Sequence, residues 1–500
     1  MQNNNLFSRY FKDELANHNK IEMESIHIIA MLIPATTAVL EGKVKDISGQ
    51  FMEKLSMRPR ITLPEVERLK DFIDEELPED MKIPLTKREF DTLISDDLID
   101  GCSPDHLEIL FRVSETESAL KLFFSMLAAP IFHKTPLVDG TEYSFIGFWD
   151  NNIRNPLEHL IPDCLSIRNS NKRTNARDDR PGYALILKNI CLFRGEESSF
   201  TNIENTKSGL RNKLEWTYDP APYVLGYYAN GPVVTLAAIC RPLENDDAPR
   251  VIDITSSNLR FRRERVLHLR RIINLSKIIE CLQEVIGVCG DPEFVPIMRT
   301  DRTIEVCGKG VRKTYTYRKA EIRVQKLINI YEKLRRKGVP NVDHLEYFNK
   351  AKGKVYLTPK GRSNVPPKDQ QELVEAIICV LEALVVLHDN EPLYHQDIRW
   401  PNIVRVHSNH SSKWILIDWD DAVGYPNSPA SHLTTEDHAP EVFKENHGEE
   451  VDIWSVGKLI TDARKYITGL SHRIVELGYI MRSDNSDYRP SAKEALKMIK

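Results

Sequence analysis

The sequence predicts a multidomain α+β chain. It divides into a helical N-terminal region (1–110), an α/β middle domain (111–289) and a C-terminal domain of two lobes (290–500). Three observations carry that division. Five hundred residues exceed what a single hydrophobic core organises, so two or three domains are expected. Apolar runs of strand length gather between Tyr183 and Ile254 and again between Phe294 and Thr358, with helical periodicity outside them. A break at Gly290, Asp291 and Pro292 separates the two strand-rich regions.

Composition narrows the class. Apolar residues make up 41% and charged residues 28%, with a formal net charge of -5, which describes a globular chain without a global field for nucleic acid or anionic membrane. Eight scattered cysteines with no C-x-x-C pair point to reduced thiols in a cytoplasmic or nuclear compartment. The most apolar early run, Ile26 to Leu40, contains His27 and Pro34 and is too short to span a bilayer. It follows a polar segment of mixed charge, unlike a signal peptide, so no membrane anchor is expected. Non-classical export stays open, and no oligomeric state follows from the sequence.

Each element has its own signal. Thr62 followed by Pro64 and Glu65 reads as a capped helix start, and Glu115 to Ala129 as an amphipathic helix. Strands are expected at Tyr183–Leu187, Ile190–Arg194, Pro232–Cys240 and Val251–Ile254, then a helix from about 259 to 286. Further strands are expected at 294–298, 303–307, 311–317 and 355–358, with a helix from 319 to 336 among them. A strongly periodic helix over 369–388 leads into Tyr394-His395-Gln396-Asp397-Ile398-Arg399-Trp400-Pro401-Asn402.

That last run carries the chemistry. Asp397 and Asn402 stand five positions apart, and Asp418 closes the apolar strand Trp414–Ile417. Phosphoryl transfer asks for a carboxylate that orients and deprotonates a hydroxyl, and for oxygen ligands to Mg²⁺. Three more landmarks follow: Ala439-Pro440-Glu441, Asp452 opening D-I-W-S-V-G, and Arg489 in R-P-S-A. In this order the set resembles the protein kinase superfamily, whose signatures read H-R-D-L-x-x-x-N, D-F-G and A-P-E. The resemblance implies a bilobal protein kinase-like fold and an ATP- and Mg²⁺-dependent phosphotransferase acting on a Ser/Thr hydroxyl of a protein substrate. It assigns Asp397 as the group that orients or accepts the proton, and Arg399 as the contact to the transferred phosphate. Asn402 and Asp418 would be the metal ligands. His395, Glu441, Asp452 and Arg489 would be structural landmarks. Lys313 is the best match to the strand lysine that meets ATP phosphates, with Glu332 as its helix partner and Glu321 as the alternative.

The departures are specific. Gln396 replaces the arginine that pairs with a phosphorylated activation loop, and Asp418-Trp419-Asp420 replaces D-F-G. No G-x-G-x-x-G precedes Lys313; Gly308-Lys309-Gly310 is expected to be a hairpin turn, which leaves 299–302 as a phosphate loop without glycines. Two other readings therefore stay open. One is a pseudokinase scaffold that binds partners without catalysis. The other is a small-molecule phosphotransferase of the aminoglycoside or choline kinase type, against which Glu441 and Arg489 speak.

In the middle domain, Arg180-Pro181-Gly182 precedes one strand and Gly195-Glu196-Glu197-Ser198 ends the next. This is similar to the restriction-endonuclease-like PD-(D/E)xK fold, with Gly182 where the Asp and Ser198 where the Lys would stand. The resemblance implies a degenerate site, since Glu196 and Glu197 alone do not assemble the metal and water chemistry; Asp178, Asp179 and Lys207 are nearby substitutes. A nuclease-like domain joined to a kinase-like one resembles Crinkler-type proteins of fungi and oomycetes, which implies an effector or conflict-system protein. Nucleic acid is not a predicted partner. The basic stretch Arg260–Arg271 is expected to be the solvated face of an amphipathic helix.

Overall fold

The computed structural model describes residues 44–500 apart from 58–59, 96–102, 123–129, 132–133, 138–141, 169–179, 200–202, 244–247, 288–289, 317–319, 364 and 409–410. Ile26–Leu40, Asp178 and Asp179 lie outside the described residues. Among the described residues no helix is long and apolar enough to cross a membrane.

Before residue 123 the chain forms short helices, such as Ser48–Ser56 and Leu69–Ile73, and two pairs of very short parallel strands. The helix expected from Thr62 begins only at Val66, as one 3-10 turn. The amphipathic helix expected over 115–129 is a strand at Glu117–Ser118 and a helical turn at Leu120–Leu122; its remainder falls outside the described residues. These elements bury Phe51, Leu69, Ile73 and Leu85 into an apolar core that continues without a break to Ile286.

Within that core lies a layered α/β unit. Helix α1 (Glu142–Trp149) is followed by β1 (Leu165–Arg168), β2 (Tyr183–Leu187) and β3 (Ile190–Ser198). Next come α2 (Ile203–Asn212), β4 (Tyr223–Asn230), β5 (Val233–Cys240), β6 (Arg250–Asn258) and α3 (Arg262–Ile286). The six strands lie in sequence order in one sheet. All pair antiparallel except β3 and β4, which run parallel because α2 crosses between them. Strands β2 to β5 are buried along almost their whole length, as expected of a sheet covered on both faces.

The C-terminal domain opens with β7 (Ile297–Met298), β8 (Arg302–Val306), β9 (Val311–Tyr315), α4 (Ala320–Lys337), β10 (His344–Asn349) and β11 (Lys354–Thr358). These strands form an antiparallel sheet of order β7-β8-β9-β11-β10. The lower lobe is built on α5 (Gln370–His388), whose N-terminus Asp369 caps by accepting from the Glu372 backbone N–H at 2.9 Å. It continues through β12 (Leu393–Tyr394), β13 (Ile403–Ser408), β14 (Ser411–Leu416), β15 (Val423–Gly424), α6 (Glu450–Ala463), α7 (His472–Met481) and α8 (Ala492–Ile499).

The segment linking the upper lobe to α5 is held by the middle domain. Fully buried Glu293 receives the Cys191 backbone N–H at 2.6 Å, the Lys360 ammonium at 2.5 Å and the Tyr218 hydroxyl at 3.2 Å, while Arg194 donates to Tyr218 at 2.7 Å. Burial opposes the charge on Glu293, and the Lys360 and Arg194 cations overcome it, holding its carboxyl below the usual range. Removing one member of a buried, hydrogen-bonded pair strands the other. Glu293→Ala should therefore cost about 3–5 kcal/mol, read as a lowered calorimetric unfolding midpoint. Exposed Glu445→Ala serves as the control, and equal midpoints for the two variants would refute the assignment.

Candidate active site

The fixed point is Asp452, fully buried near the start of α6. Its carboxylate accepts the His395 N–H at 2.9 Å and the Gln396 N–H at 2.8 Å, with His388 Nε2 of α5 at 3.0 Å. These bonds hold Gln396 at φ 71°, a conformation L side chains adopt at a cost. The Gln396 amide turns inward onto His447. His395 Nε2 donates to the Ile417 carbonyl at 3.0 Å, so Nδ1 is the acceptor for the Asp397 N–H at 3.3 Å. The His395 ring also meets buried Trp419 edge-on at 4.6 Å. Two signatures far apart in sequence are thereby locked together.

Asp397, Arg399 and Asn402 converge as the spacing predicts. Arg399 Nε lies 2.8 Å from Asp397 Oδ1, and Asn402 Nδ2 donates to Asp397 Oδ2 and to its carbonyl, both at 2.8 Å. Asn402 Nδ2 is thus committed to Asp397. Burial opposes ionisation of Asp397, but the hydrogen bond from His438 and the Arg399 charge hold its carboxyl below the usual range. Glu441 and Arg489 form a bidentate pair at 2.9 and 3.1 Å, which anchors the segment after Asp418 to the helical lobe.

Asp418, at φ 70°, faces the upper lobe. Lys313 of β9 reaches Asp418 Oδ1 at 2.5 Å and Asp420 Oδ2 at 2.6 Å, and Tyr315 donates to Asp420 Oδ1 at 2.6 Å. Arg302 stands 3.7 Å from Asp418 and 3.6 Å from Asp420. Burial disfavours the Lys313 charge, yet the two carboxylates hold its pKa well above the ordinary lysine value. Burial also pushes Asp418 up, with Asp420 adding to the rise and Lys313 opposing it; Asp420 itself is held low, because Lys313 outweighs its burial.

One expectation is corrected here. Glu332 does not meet Lys313; it is exposed, as is Glu321. The buried residues of α4 are Val324, Leu327, Ile328, Ile330, Tyr331 and Leu334, and Glu332 follows Tyr331 by one residue, about 100° around the helix. Tyr331 takes the inward place and donates to Asp343 at 3.0 Å, which also accepts from Trp419 Nε1 at 2.9 Å. Burial raises the Asp343 carboxyl to about 7. Asp343, Tyr315, the charge role of Arg302 and the pairing role of Asp420 were not legible in the sequence; only the second carboxylate in D-W-D hinted at the last. Gly308–Gly310 does form the hairpin turn, closed by Cys307 N–H to the Gly310 carbonyl at 2.8 Å.

In the middle domain, Gly182, Glu196 and Glu197 do come together, but the carboxylates are occupied. Glu197 is clamped by Arg168 at 2.5 and 3.0 Å and accepts from Tyr227, and Glu196 pairs with Lys213 at 2.7 Å. Burial raises the Glu196 carboxyl, with Lys213 opposing the shift. A Cβ at Gly182 would sit 3.2 Å from the Gly195 carbonyl, and one at Gly195 would strike the Tyr227 ring. Ser198 ends β3 in a buried position. Lys207, the nearby substitute, pairs instead with Asp253 at 3.0 Å. The basic stretch is not a solvated face throughout. Arg265 is buried against the carbonyls of Leu259 and Ile131, and Arg270 and Arg271 both reach Asp74.

A β9 lysine facing a carboxylate beyond β14, above a loop that pairs Asp397 with Asn402, defines a protein kinase domain, and the family model described as "Protein kinase domain" matches residues 296–471. Nearly the whole chain is also similar to Crinkler effector protein 8 of Phytophthora infestans, with 30% identity over 488 residues, covering 96% of this chain and 79% of the relative. The chain belongs to the Crinkler family.

The His388–Asp452 pair sets a pH dependence. Burial lowers the imidazole pKa, but the bonds to Asp452 and Glu449 raise it from 6.5 to about 9. A raised histidine pKa contributes stability that is complete below the unfolded value and is lost as pH rises through the folded one. A loss on the order of 3 kcal/mol is expected between neutral pH and about pH 10. Denaturant midpoints should show it in the wild type and not in His388→Gln; the same decline in both would contradict it.

Proposed function

We propose that this Crinkler protein is an ATP- and Mg²⁺-dependent protein kinase of Ser/Thr type that serves as an effector. The observation that carries the reading is the joint placement of Asp397, Asn402 and Asp418 at one cleft beneath Lys313. Asp397 would orient the acceptor hydroxyl and take its proton, while Arg399 and Lys313 would meet phosphate oxygens. The oxygen donors fit a hard cation. Among the described residues no three His, Cys, Asp or Glu side chains converge for a metal, so the ligands would be Asn402 and Asp418, with Asp420 beside them. Mg²⁺ bound there would offset the negative charge of the phosphates. Lys313 would keep its orientation through Asp420, the part a helix glutamate was expected to play.

The Glu441–Arg489 pair supports a protein acceptor over a small alcohol, because it braces the segment a protein chain would lie against. The pseudokinase reading loses ground to the intact ion pairs around Asp397 and Asp418. We further propose a restriction-endonuclease-like fold for the middle domain. It is supported by the run of helix, three antiparallel strands, helix and parallel strand from α1 to β4. Its site would be closed, with Arg168, Tyr227 and Lys213 standing where metal and water would act.

The full chain with Mg²⁺, labelled ATP and a generic protein acceptor should transfer phosphate, and Asp397→Asn should be at least about 100-fold slower. Equal transfer by both, or none by the wild type, would end the kinase reading. Asp420→Asn should raise the KM for ATP about tenfold, the worth of one exchanged charge contact. Glu332→Ala should leave it unchanged, and the reverse pattern would restore the helix glutamate. Divalent-dependent DNA cleavage abolished by Glu196→Ala would overturn the closed-site assignment.

A further inference from the structure

A turn of three residues, Arg299, Thr300 and Asp301, joins β7 to β8, and it is tied down from two sides. The Arg299 N–H donates to the Arg302 carbonyl at 2.8 Å, and the Asp301 carbonyl accepts the Thr316 N–H at 2.9 Å. The Asp301 carboxylate pairs with Arg323 of α4. No glycine is present to let this backbone fold closely over a chain of phosphates. Arg302, which opens β8, turns a side chain into the cleft instead. It stands opposite Tyr315 in the register of β8 and β9, and Ile304 stands opposite Lys313. Arg302, Lys313 and Tyr315 therefore share one face of the sheet, the face toward Asp418 and Asp420.

The three donors on that face are not used alike. Lys313 bonds Asp418 at 2.5 Å and Asp420 at 2.6 Å, and Tyr315 bonds Asp420 at 2.6 Å. The Arg302 guanidinium lies 3.6 Å from Asp420, 3.7 Å from Asp418 and 3.8 Å from Asp301, which is too far for a hydrogen bond. Its Nε is buried and has no partner among the described residues. Leaving a buried donor unpaired is costly, and here a planar fork of donors is kept close to that state. Asp418 and Asp420 already have Lys313 and Tyr315 and do not call for it. The charges also matter. Lys313 and Arg302 balance Asp418 and Asp420, so a divalent cation arriving alone would meet two basic groups. A polyphosphate arriving with the cation would give both of them an anionic partner.

We propose that Arg302 is a phosphate-binding residue that takes over from the missing glycine-rich backbone. Its donors are held unspent beside Asp418 and Asp420 and turn onto the phosphate chain when a nucleoside triphosphate enters with Mg²⁺. This rests on the phosphotransferase reading above and adds to it that the nucleotide is gripped by side chains through its phosphates. A guanidinium suits that task better than an ammonium, because its fork matches two phosphate oxygens at once.

The test is calorimetric binding to the full chain in Mg²⁺, with ATP, inorganic tripolyphosphate and adenosine as probes. Arg302→Gln should weaken ATP and tripolyphosphate at least about tenfold, the lower bound for a hydrogen bond to a charged group, and leave adenosine unchanged. Arg302→Lys keeps the cation beside the two carboxylates, and it should recover only part of the loss. Lys352→Gln, an exposed site on the turn between β10 and β11, should bind all three probes like the wild type. Unaltered tripolyphosphate and ATP affinity in Arg302→Gln overturns the proposal, as does an equal loss in Lys352→Gln. Adenosine weakened as much as ATP would also overturn it, since the residue would then be shaping the cleft rather than meeting phosphate. So would a wild type that binds neither ATP nor tripolyphosphate. A wild type that binds tripolyphosphate through Arg302 yet phosphorylates no protein keeps the assignment and sinks the kinase reading. Phosphate transfer by a wild type whose Arg302→Gln variant binds ATP equally well does the reverse.

Discussion

The geometry of the cleft depends on one buried carboxylate. Asp452 has no exposed surface, and an ionised group there is tolerable only because two backbone N–H groups and the His388 ring surround it. Those bonds fix the backbone of His395 and Gln396, and His395 in turn fixes Ile417 and Trp419. Asp397 and Asp418 are therefore placed relative to each other by a scaffold of hydrogen bonds rather than by their own contact. A constraint of this kind is the preorganisation that the proposed phosphoryl transfer would need, since little of its work is covalent.

Above that scaffold the balance of charge is unusual. The change from glycine to Asp420 adds a carboxylate beside Asp418, and the upper lobe answers with Lys313, Arg302 and the Tyr315 hydroxyl. The cations come from strands β8 and β9, not from α4, which offers Tyr331 and, at its edge, Lys326 to the Asp420 carbonyl at 2.7 Å. Arg302 opens β8, so a side-chain donor stands beside Asp418 and Asp420 where the sequence carries no glycine-rich loop. The helix contributes through Asp343 and Trp419 instead, tying its position to the strand that carries Asp418.

The middle domain is tied to the crossover between the two lobes. Lys360 and Arg362 lie just past β11, where the chain passes between lobes; Lys360 pairs with Glu293, which in turn bonds Cys191 and Tyr218 of the middle domain, and Arg362 donates to the Asp219 carbonyl at 2.7 Å. The Lys360 N–H is also taken by the Lys309 carbonyl at 2.8 Å. A crossover held at both side chain and backbone limits how far the lobes turn against each other. In the middle domain itself, Glu197 is paired with Arg168 and Glu196 with Lys213.

The sequence by itself determined what depends on near neighbours in the chain. Strand and helix periods located β2, β3, β5, β8, β9, α3, α4 and α5, and the five-residue step from Asp397 to Asn402 held because one loop carries both. Strands β1, β4 and β10 escaped notice, since Gly226 and the polar residues of β1 and β10 blur their pattern. What only the tertiary structure decided is which charges meet. Lys313 and Asp418 are 105 positions apart and His438 and Asp397 are 41 apart, so their pairing follows from packing rather than from spacing. Glu332 shows why. It has the residue type and the distance along the chain, but helix rotation turns it to water, and a carboxylate in solvent does not anchor a buried ammonium.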